Sequence, residues 1–331
     1  MISVLGVDVG GTKVAAGPVS RAGVQLAPPL VGSSRADDTA SFLSALEAFL
    51  RRTLVEFDQF GPRAIGLACA GTIDSRRGVV VASPNLPLRD VPLAQILEEA
   101  LSVPVVLEND GNAAVLAEAA GGVAAGLCHV AMLTLGTGVG GGLLLDGRVY
   151  RGAGGGAGEL GHTIVRAHGR PCLCGSRGCL EMYASGPALV RYATARAGHP
   201  QMDPKGSLLA LRERGKLTGG AVARLAREGH PGALEAVREL AGWLGVGLVN
   251  VTNTFNPEMI VVGGGVGELG ELLLEPARDF LRENAMAPGR DQVRVASAVL
   301  GNKAGLVGGA LTAWEMVGGP QAPMARSGAD G

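Results

Sequence analysis

Three cysteines and a histidine carry the most specific local signal in the chain: His162, then Cys172-x-Cys174-x4-Cys179. Three thiolates and one imidazole make a closed tetrahedral set for Zn²⁺, which would tie a loop that has few apolar residues of its own. A closed set leaves no coordination position for a reacting water, so its chemistry is structural rather than hydrolytic. The other reading is reduced cysteines in a tight loop, or a Cys-x-Cys redox pair. Glu159 and Glu181 bracket the loop. Fixed in place, two carboxylates suit a polyhydroxylated ligand as hydroxyl acceptors; unfixed, they are ordinary surface glutamates.

A second candidate centre is Leu107-Glu108-Asn109-Asp110-Gly111-Asn112, where a short apolar strand delivers polar residues to a helix start. Two readings are open for Asp110, a catalytic base or a helix N-cap, the place where Asp and Asn accept orphan backbone N–H bonds. Two glycine turns suit phosphate: Asp8-Val9-Gly10-Gly11-Thr12-Lys13, and Gly136-Thr137-Gly138-Val139-Gly140-Gly141-Gly142. Glycine lets backbone N–H groups come close, hydroxyls add donors, and a lysine supplies a point charge. Lys13 is one of only four lysines, against 25 arginines, which sets it apart from ordinary surface charge.

Strands and turns must position these groups. Ile2–Val7 predicts a buried strand, and the run Val14–Val19 after the first glycine turn predicts a hairpin. Val130–Leu135, the second glycine turn and Leu143–Leu145 repeat that order, so a weak internal duplication is expected. Apolar spacing predicts a helix over 37–60, a strand at 64–70, a strand at 104–107 and a helix over about 112–120. Two prolines stiffen Ser83-Pro84-Asn85-Leu86-Pro87-Leu88. Ser185-Gly186-Pro187 opens a helix, with Ser as cap and Pro in the first turn. Further helices are expected at about 218–229, 232–254 and 268–284, with strands at 259–262 and 293–296 and a closing helix over 305–316. Cys69 and Cys128 fall in or beside apolar strands and read as core.

The 331 residues suit two domains, since single cores rarely grow beyond about 250–300 residues. Hydrophobic content of 47% with aromatics at 3% means cores of Val, Leu and Ala. A net charge of −1 and the lack of a basic stripe argue against a nucleic-acid partner. No basic leader and no membrane-length apolar run are visible, so a cytoplasmic protein without a membrane partner is expected. Among nucleotide signatures, Gly136-x-Gly138-x-x-Gly141 runs into a strand and so lacks the helix N-terminus that holds a pyrophosphate. Gly265-x-Gly267-x-x-Gly270 follows a strand and opens a helix, but no complete βαβ unit accompanies it, and a nicotinamide dehydrogenase is a minor alternative. No Walker-type lysine turn occurs.

Taken together, the two glycine turns, Glu108–Asn112, Glu159-Leu160-Gly161-His162 and Cys172-x-Cys174-Gly175-x-x-Gly178-Cys179-Leu180-Glu181 resemble the ROK family of repressors and sugar kinases, over residues of about 2 to 316. Among its members the motifs are most similar to bacterial glucokinases. The resemblance implies an α/β, actin-like (ribonuclease H-like) ATPase fold of two lobes with a central ATP and sugar cleft. The lobes are expected at 1–115, with the C-terminal helix of about 305–316 joining the first, and at 116–304, the latter holding the zinc loop 159–181; a disordered tail is expected over 317–331. The implied activity is transfer of phosphate from ATP, with Mg²⁺, to the 6-hydroxyl of a hexose.

Asp110 matches the family's base, with Gly71, Asn85, Asn109, Glu159, His162 and Glu181 at the sugar. The resemblance implies that Gly10, Gly11, Thr12, Lys13, Gly136, Thr137, Gly138 and Gly140 face the ATP phosphates. It likewise places Gly263, Gly264 and Gly265 near the adenosine and Zn²⁺ on His162, Cys172, Cys174 and Cys179. Asp8 is a candidate to orient the water shell of Mg²⁺. A homodimer or homotetramer is expected. The sequence departs from the family pattern in Leu86-Pro87-Leu88 after Asn85, where Pro-Gly-Trp frequently follows the Asn-Leu, and at Gly71 and Gly111, where Pro before Gly71 and Ala in place of Gly111 are common. These departures bear on which sugar is taken: glucose first, with N-acetylmannosamine, mannose or fructose as alternatives. A sugar-sensing regulator is a remoter alternative, since the first strand starts at Ile2 with no helix-turn-helix before it.

Overall fold

The computed structural model describes residues 2–318. In chain order the strands are β1 (Ser3–Val9), β2 (Lys13–Val19), β3 (Leu30–Ser33), β4 (Pro62–Cys69), β5 (Thr72–Asp74), β6 (Val79–Ala82), β7 (Arg89–Val91), β8 (Val105–Asn109), β9 (Val130–Leu135), β10 (Val139–Leu145), β11 (Arg148–Val149), β12 (Met259–Gly263) and β13 (Arg294–Ser297). The helices are α1 (Thr39–Glu56), α2 (Leu93–Leu101), α3 (Asp110–Gly121), α4 (Glu181–Ala184), α5 (Gly186–Arg196), α6 (Ser207–Glu213), α7 (Gly219–Arg227), α8 (Pro231–Phe255), α9 (Glu271–Asn284), α10 (Gly289–Gln292) and α11 (Ala304–Gly318). Among the described residues no helix is long and apolar enough to cross a membrane.

Two five-stranded sheets share one plan. Their orders are β3-β2-β1-β4-β8 and β11-β10-β9-β12-β13. In each, a strand–glycine turn–strand pair is flanked by one strand beyond its second arm and two beyond its first. The duplication expected from residues 2–19 and 130–145 is therefore a repeat of the whole sheet. In the first sheet β1 pairs antiparallel with β2 and parallel with β4, and β4 pairs parallel with β8. With parallel neighbours on both sides, β4 is covered on both faces, which explains its buried apolar run over residues 64–69. A small third sheet, β5-β6-β7, was not foreseen.

The chain forms two compact units. One takes in Met1–Val130, Gly142–Gly158 and the chain from Leu300; the other takes in Ala131–Gly141 and Glu159–Val299. A single break at 115/116 would cut α3, whose residues Ala113 to Ala119 are buried. The reason is its close packing on α11, where a Cβ on Gly308 would run into the Ala113 carbonyl. Gly66 of β4 meets the Gly309 carbonyl in the same way, so α11 lies directly on the sheet. Glycine's missing side chain is what permits that approach. The helix also runs to Gly318, beyond the expected end at 316, while residues 319–331 of the expected tail lie outside the described residues.

In the first unit α1 starts with a capping box between Asp38 and Ser41, and buries Phe42, Leu46, Phe49 and Leu50 at helical spacing. These side chains join Leu5, Val7, Ile65, Leu67 and Leu107 in one core. In the second unit α8 packs against α5, α7 and α9. Its Trp243 ring lies 4.4 Å from that of Tyr183, and its Gly247 faces Leu180.

Candidate active site

Asp110 sits at the carboxyl end of β8 and is the first residue of α3. The cap is its neighbour. Asn109 Oδ1 accepts from Gly111 N at 2.9 Å and from Asn112 N at 3.1 Å. The N-cap reading of Asp110 is thereby corrected: an extended φ and ψ puts the capping geometry on Asn109 and leaves Asp110 exposed at the helix start. Asp110 Oδ1 accepts from Asn109 Nδ2 at 3.1 Å and Gly111 N at 3.0 Å. Asn109 Nδ2 also donates to the Gly71 carbonyl at 3.0 Å, so Gly71, Asn109 and Asp110 form one group.

The first glycine turn stands at the end of β1, which β4 separates from β8 in the sheet. Asp8 is held there against the start of α11, where a Cβ on Gly305 would stand 2.7 Å from its carboxyl. Burial pushes the Asp8 carboxyl up to about 6, the negative charge of Asp110 adds to the rise, and Lys13 opposes it. Gly10 N donates to the Lys13 carbonyl at 3.0 Å, closing the turn. Asn85 backs the turn, since a Cβ on Gly11 would lie 2.8 Å from Asn85 Cβ. The Asn85 loop is anchored by Ser83, whose Oγ donates to the Ala70 carbonyl at 2.7 Å, and by buried Leu86 and Leu88. Leu86 and Leu88 thus serve as core residues of this loop.

In the second unit the zinc candidates converge. The ligating atoms of His162, Cys172, Cys174 and Cys179 all lie within 4.8 Å of one another. The Cys174 and Cys179 sulfurs are 3.7 Å apart, and His162 Nδ1 is 3.7 Å from Cys172 Sγ. A Zn–S bond of about 2.3 Å puts tetrahedral sulfurs about 3.8 Å apart, so the donor set fits the metal. None of the five cysteines is in a disulfide. Cys69 is buried as expected, but Cys128 is only half-buried.

The same loop fixes both glutamates. Glu181 Oε2 accepts from Val139 N in the second glycine turn at 3.0 Å, and Oε1 accepts from Cys172 Sγ at 3.6 Å. Glu159 Oε2 lies 4.0 Å from His162 Nε2, so the histidine presents one nitrogen to the thiols and the other to the glutamate. Burial raises the Glu159 carboxyl above its ordinary range, His162 opposes this, and Glu181 adds to it. Gly136, Thr137, Gly138 and Gly140 lie in the loop that Glu181 braces. Val266 N donates to the Leu135 carbonyl and Gly186 N to the Gly136 carbonyl, so the Gly263–Gly265 turn meets the second glycine turn. Gly264 has φ +80° and lies on the Leu135 carbonyl, a place only glycine fills without strain. Gly267–Leu269 forms a tight 3₁₀ turn there, and the helix expected over 268–284 opens at Glu271 as α9.

Sequence reasoning passed over one strong group. Glu108 is completely buried and accepts from Arg151 Nε and Nη2, 43 residues away. Neither residue type is unusual, and no local spacing connects them.

The sequence profile of the ROK family matches residues 4–315. The chain belongs to the ROK family. It is 38% identical over 314 residues to a glucokinase of Streptomyces coelicolor, covering 94% of this chain and 97% of that one. A solved structure of a ROK family glucokinase from Streptomyces griseus, in complex with glucose and AMPPNP, is 38% identical with a TM-score of 0.79, covering 93% and 98% of the two chains. A ROK hexokinase from Thermus thermophilus is also 38% identical, with a TM-score of 0.76 and coverage of 96% and 99%. The fold of this ROK protein is accordingly the actin-like α/β fold, and its two matching five-stranded sheets are the two halves of it.

Proposed function

We propose that this ROK protein is an ATP- and Mg²⁺-dependent hexose kinase, with glucose as its preferred sugar and glucose 6-phosphate as product. The observation that carries the reading is the division of labour at β8. Asn109 caps the helix, and the exposed Asp110 at its first position carries its charge close enough to Asp8 of β1 to act on that carboxyl. The kinship to glucokinases at 38% identity supports the choice of sugar.

In the proposed reaction the 6-hydroxyl of the sugar attacks the γ-phosphorus of ATP. Its proton goes to Asp110, the bond to the bridging oxygen breaks, and ADP leaves with the electron pair. An aspartate needs no raised pKa to be ionised at neutral pH. Phosphoryl transfer leaves little covalent work to the protein, so position and charge dominate. The amides of Gly10, Gly11 and Thr12, with Lys13, take the phosphates in the first unit; Gly136, Thr137, Gly138 and Gly140 do so in the second, with Gly263, Gly264 and Gly265 at the adenosine. Mg²⁺, when bound with ATP, neutralises phosphate charge, and Asp8 orients its water shell. Gly71, Asn85, Asn109, Glu159, His162 and Glu181 take the sugar hydroxyls. His162, Cys172, Cys174 and Cys179 hold one structural Zn²⁺. Reduced cysteines suit a cytoplasmic protein. A homodimer or homotetramer belongs to the same proposal.

A coupled ADP-release assay across glucose, mannose, fructose and N-acetylmannosamine tests the reading. The highest kcat/KM is expected for glucose. No turnover of any hexose would overturn the kinase reading, and a higher kcat/KM on another sugar would overturn glucose.

A further inference from the structure

The sheet edge that carries Asp110 carries one more charged residue with no role so far, Arg35. Strands β1 and β3 both pair antiparallel with β2, so β3 runs in the same direction as β1, and β4 and β8 follow by parallel pairing. Four strands therefore end along one edge. They release Gly10 after β1, Ser34 and Arg35 after β3, Gly71 shortly after β4 and Asp110 after β8. In open α/β sheets the carboxyl ends of the strands are where ligands bind.

The segment holding Arg35 is tied to the first glycine turn. Ser33 pairs with Lys13 in register. Ser34 is buried, donates its hydroxyl to the Gly10 carbonyl at 2.5 Å, and donates its N–H to the Thr12 carbonyl at 3.4 Å. Arg35 N donates to Ser33 Oγ at 3.1 Å. Arg35 thus follows the phosphate-type turn closely.

Arg35 lines a cleft of about 270 Å³ with Gly11, Ser34, Asp37, Asn85 and Pro87. One of these residues belongs to the expected phosphate turn and another to the expected sugar loop. Of the two acids nearby in sequence, Asp38 is engaged in capping α1 through Ser41. Asp37 lines the cleft without pairing to Arg35. A guanidinium in that position offers a planar fork of N–H donors matched to phosphate oxygens.

We propose that Arg35 binds the phosphoryl group as it passes from ATP to the sugar, and remains on it as the phosphate of the sugar 6-phosphate. This rests on the kinase reading above. In the transfer, charge spreads over the three equatorial oxygens of the phosphoryl group, and Arg35 hydrogen-bonds to them. Arg35 gives up no proton; the hydroxyl proton still goes to Asp110. Asp37 in the same cleft opposes the anion and limits how tightly product is held.

The test uses the purified full-length enzyme and its Arg35→Gln, Arg35→Lys and Asp37→Asn variants, with glucose 6-phosphate as the probe. All are exposed positions, and circular dichroism checks the fold. Arg35→Gln should lower kcat and weaken glucose 6-phosphate binding by about tenfold or more, the effect of a lost charge-assisted hydrogen bond. The KM for glucose should stay within about twofold, because the sugar hydroxyls are held elsewhere. Arg35→Lys should recover part of the loss, and Asp37→Asn should tighten glucose 6-phosphate. An active Arg35→Gln enzyme with wild-type kcat and product affinity overturns the proposal and leaves the kinase reading standing. A loss confined to the KM for ATP also overturns it, since the nucleotide alone would then be the anion held. A wild-type enzyme inactive on every hexose overturns both.

Discussion

Arg151 donates from Nε and Nη2 to one oxygen of the Glu108 carboxylate, at 2.8 and 2.6 Å, and Glu108 is fully buried two residues before Asp110. The other carboxylate oxygen accepts from Ser75 Oγ at 3.2 Å, Asn112 Nδ2 at 3.0 Å and Asn109 N at 3.0 Å. Both oxygens of a buried charge are therefore satisfied, by partners from the β5–β6 turn, from α3 and from the segment after β11. The pair holds the β8–α3 junction on which Asp110 rides.

Removing one partner should expose what that junction needs. Arg151→Met leaves a buried carboxylate without its cation and should cost about 3–5 kcal/mol. Pairing it with Glu108→Gln should recover part of the loss, because no charge is then stranded. Urea unfolding of the two single variants and the double variant measures this. Equal losses in Arg151→Met with and without Glu108→Gln would show that the charge pair is not what holds the junction.

The base assignment predicts a separation of binding from chemistry. Asp110→Asn keeps the side-chain size and should bind glucose much as the wild type does. Its kcat should fall by about 10²–10⁴, the usual contribution of a general base. Calorimetric glucose binding beside steady-state turnover decides this, and near-normal turnover would refute the role.

For the cysteine knot, elemental analysis should find about one zinc per chain, by the ligand count. Cys174→Ser should lose the metal and lower the melting temperature, with activity falling as Glu159 and Glu181 lose their fixed loop. A metal-free protein that is stable and fully active would end the assignment.

Acid should act through Asp203, which lies far in sequence from the residues assigned to substrate. Burial alone would raise its carboxyl, but N–H donors from Gly198, Leu209 and Leu208, together with His230, outweigh it and hold the group below its ordinary range. A carboxyl depressed on folding contributes stability that is complete above the unfolded value of about 3.9 and is lost as pH falls through the folded value. Asp203→Asn should cost about 2 kcal/mol at pH 7, since hydrogen bonds to a charged acceptor are replaced by weaker ones. The gap to wild type should close in thermal melts below pH 4. A gap constant down to pH 2 would show that the side chain's charge is not what matters.

Much of this architecture is written in short stretches of chain. Cys172-x-Cys174-x4-Cys179 places three thiols in one loop because the residues between are too few to let them part. The turn at Gly10–Lys13 and its echo at Gly136–Gly142 follow from glycine between apolar runs, and they announce the repeat of the two sheets. Local patterns of this kind depend on backbone geometry within a few residues, which the chain carries wherever it goes. Short elements were harder to see: β3, the strands β5–β7, α2 and α6 have too few residues to show a period.

What tertiary structure alone decided lies in contacts between distant segments. Asn109 took the cap from Asp110 because the strand's direction and the Gly71 carbonyl set its backbone and its amide. Glu108 found Arg151, and α11 came to rest on β4 and α3, keeping residues 116–130 with the first unit rather than the second. Arg35 reached the edge of Gly10, Gly71 and Asp110 only through the pairing of β3 with β2. By itself the sequence determined which chemical groups each turn and loop presents, because spacing within a segment is covalent. Which of those groups share an edge or bury a charge together was left to sheet register and helix packing, where residues far apart in the chain are brought into contact by the burial of apolar surface.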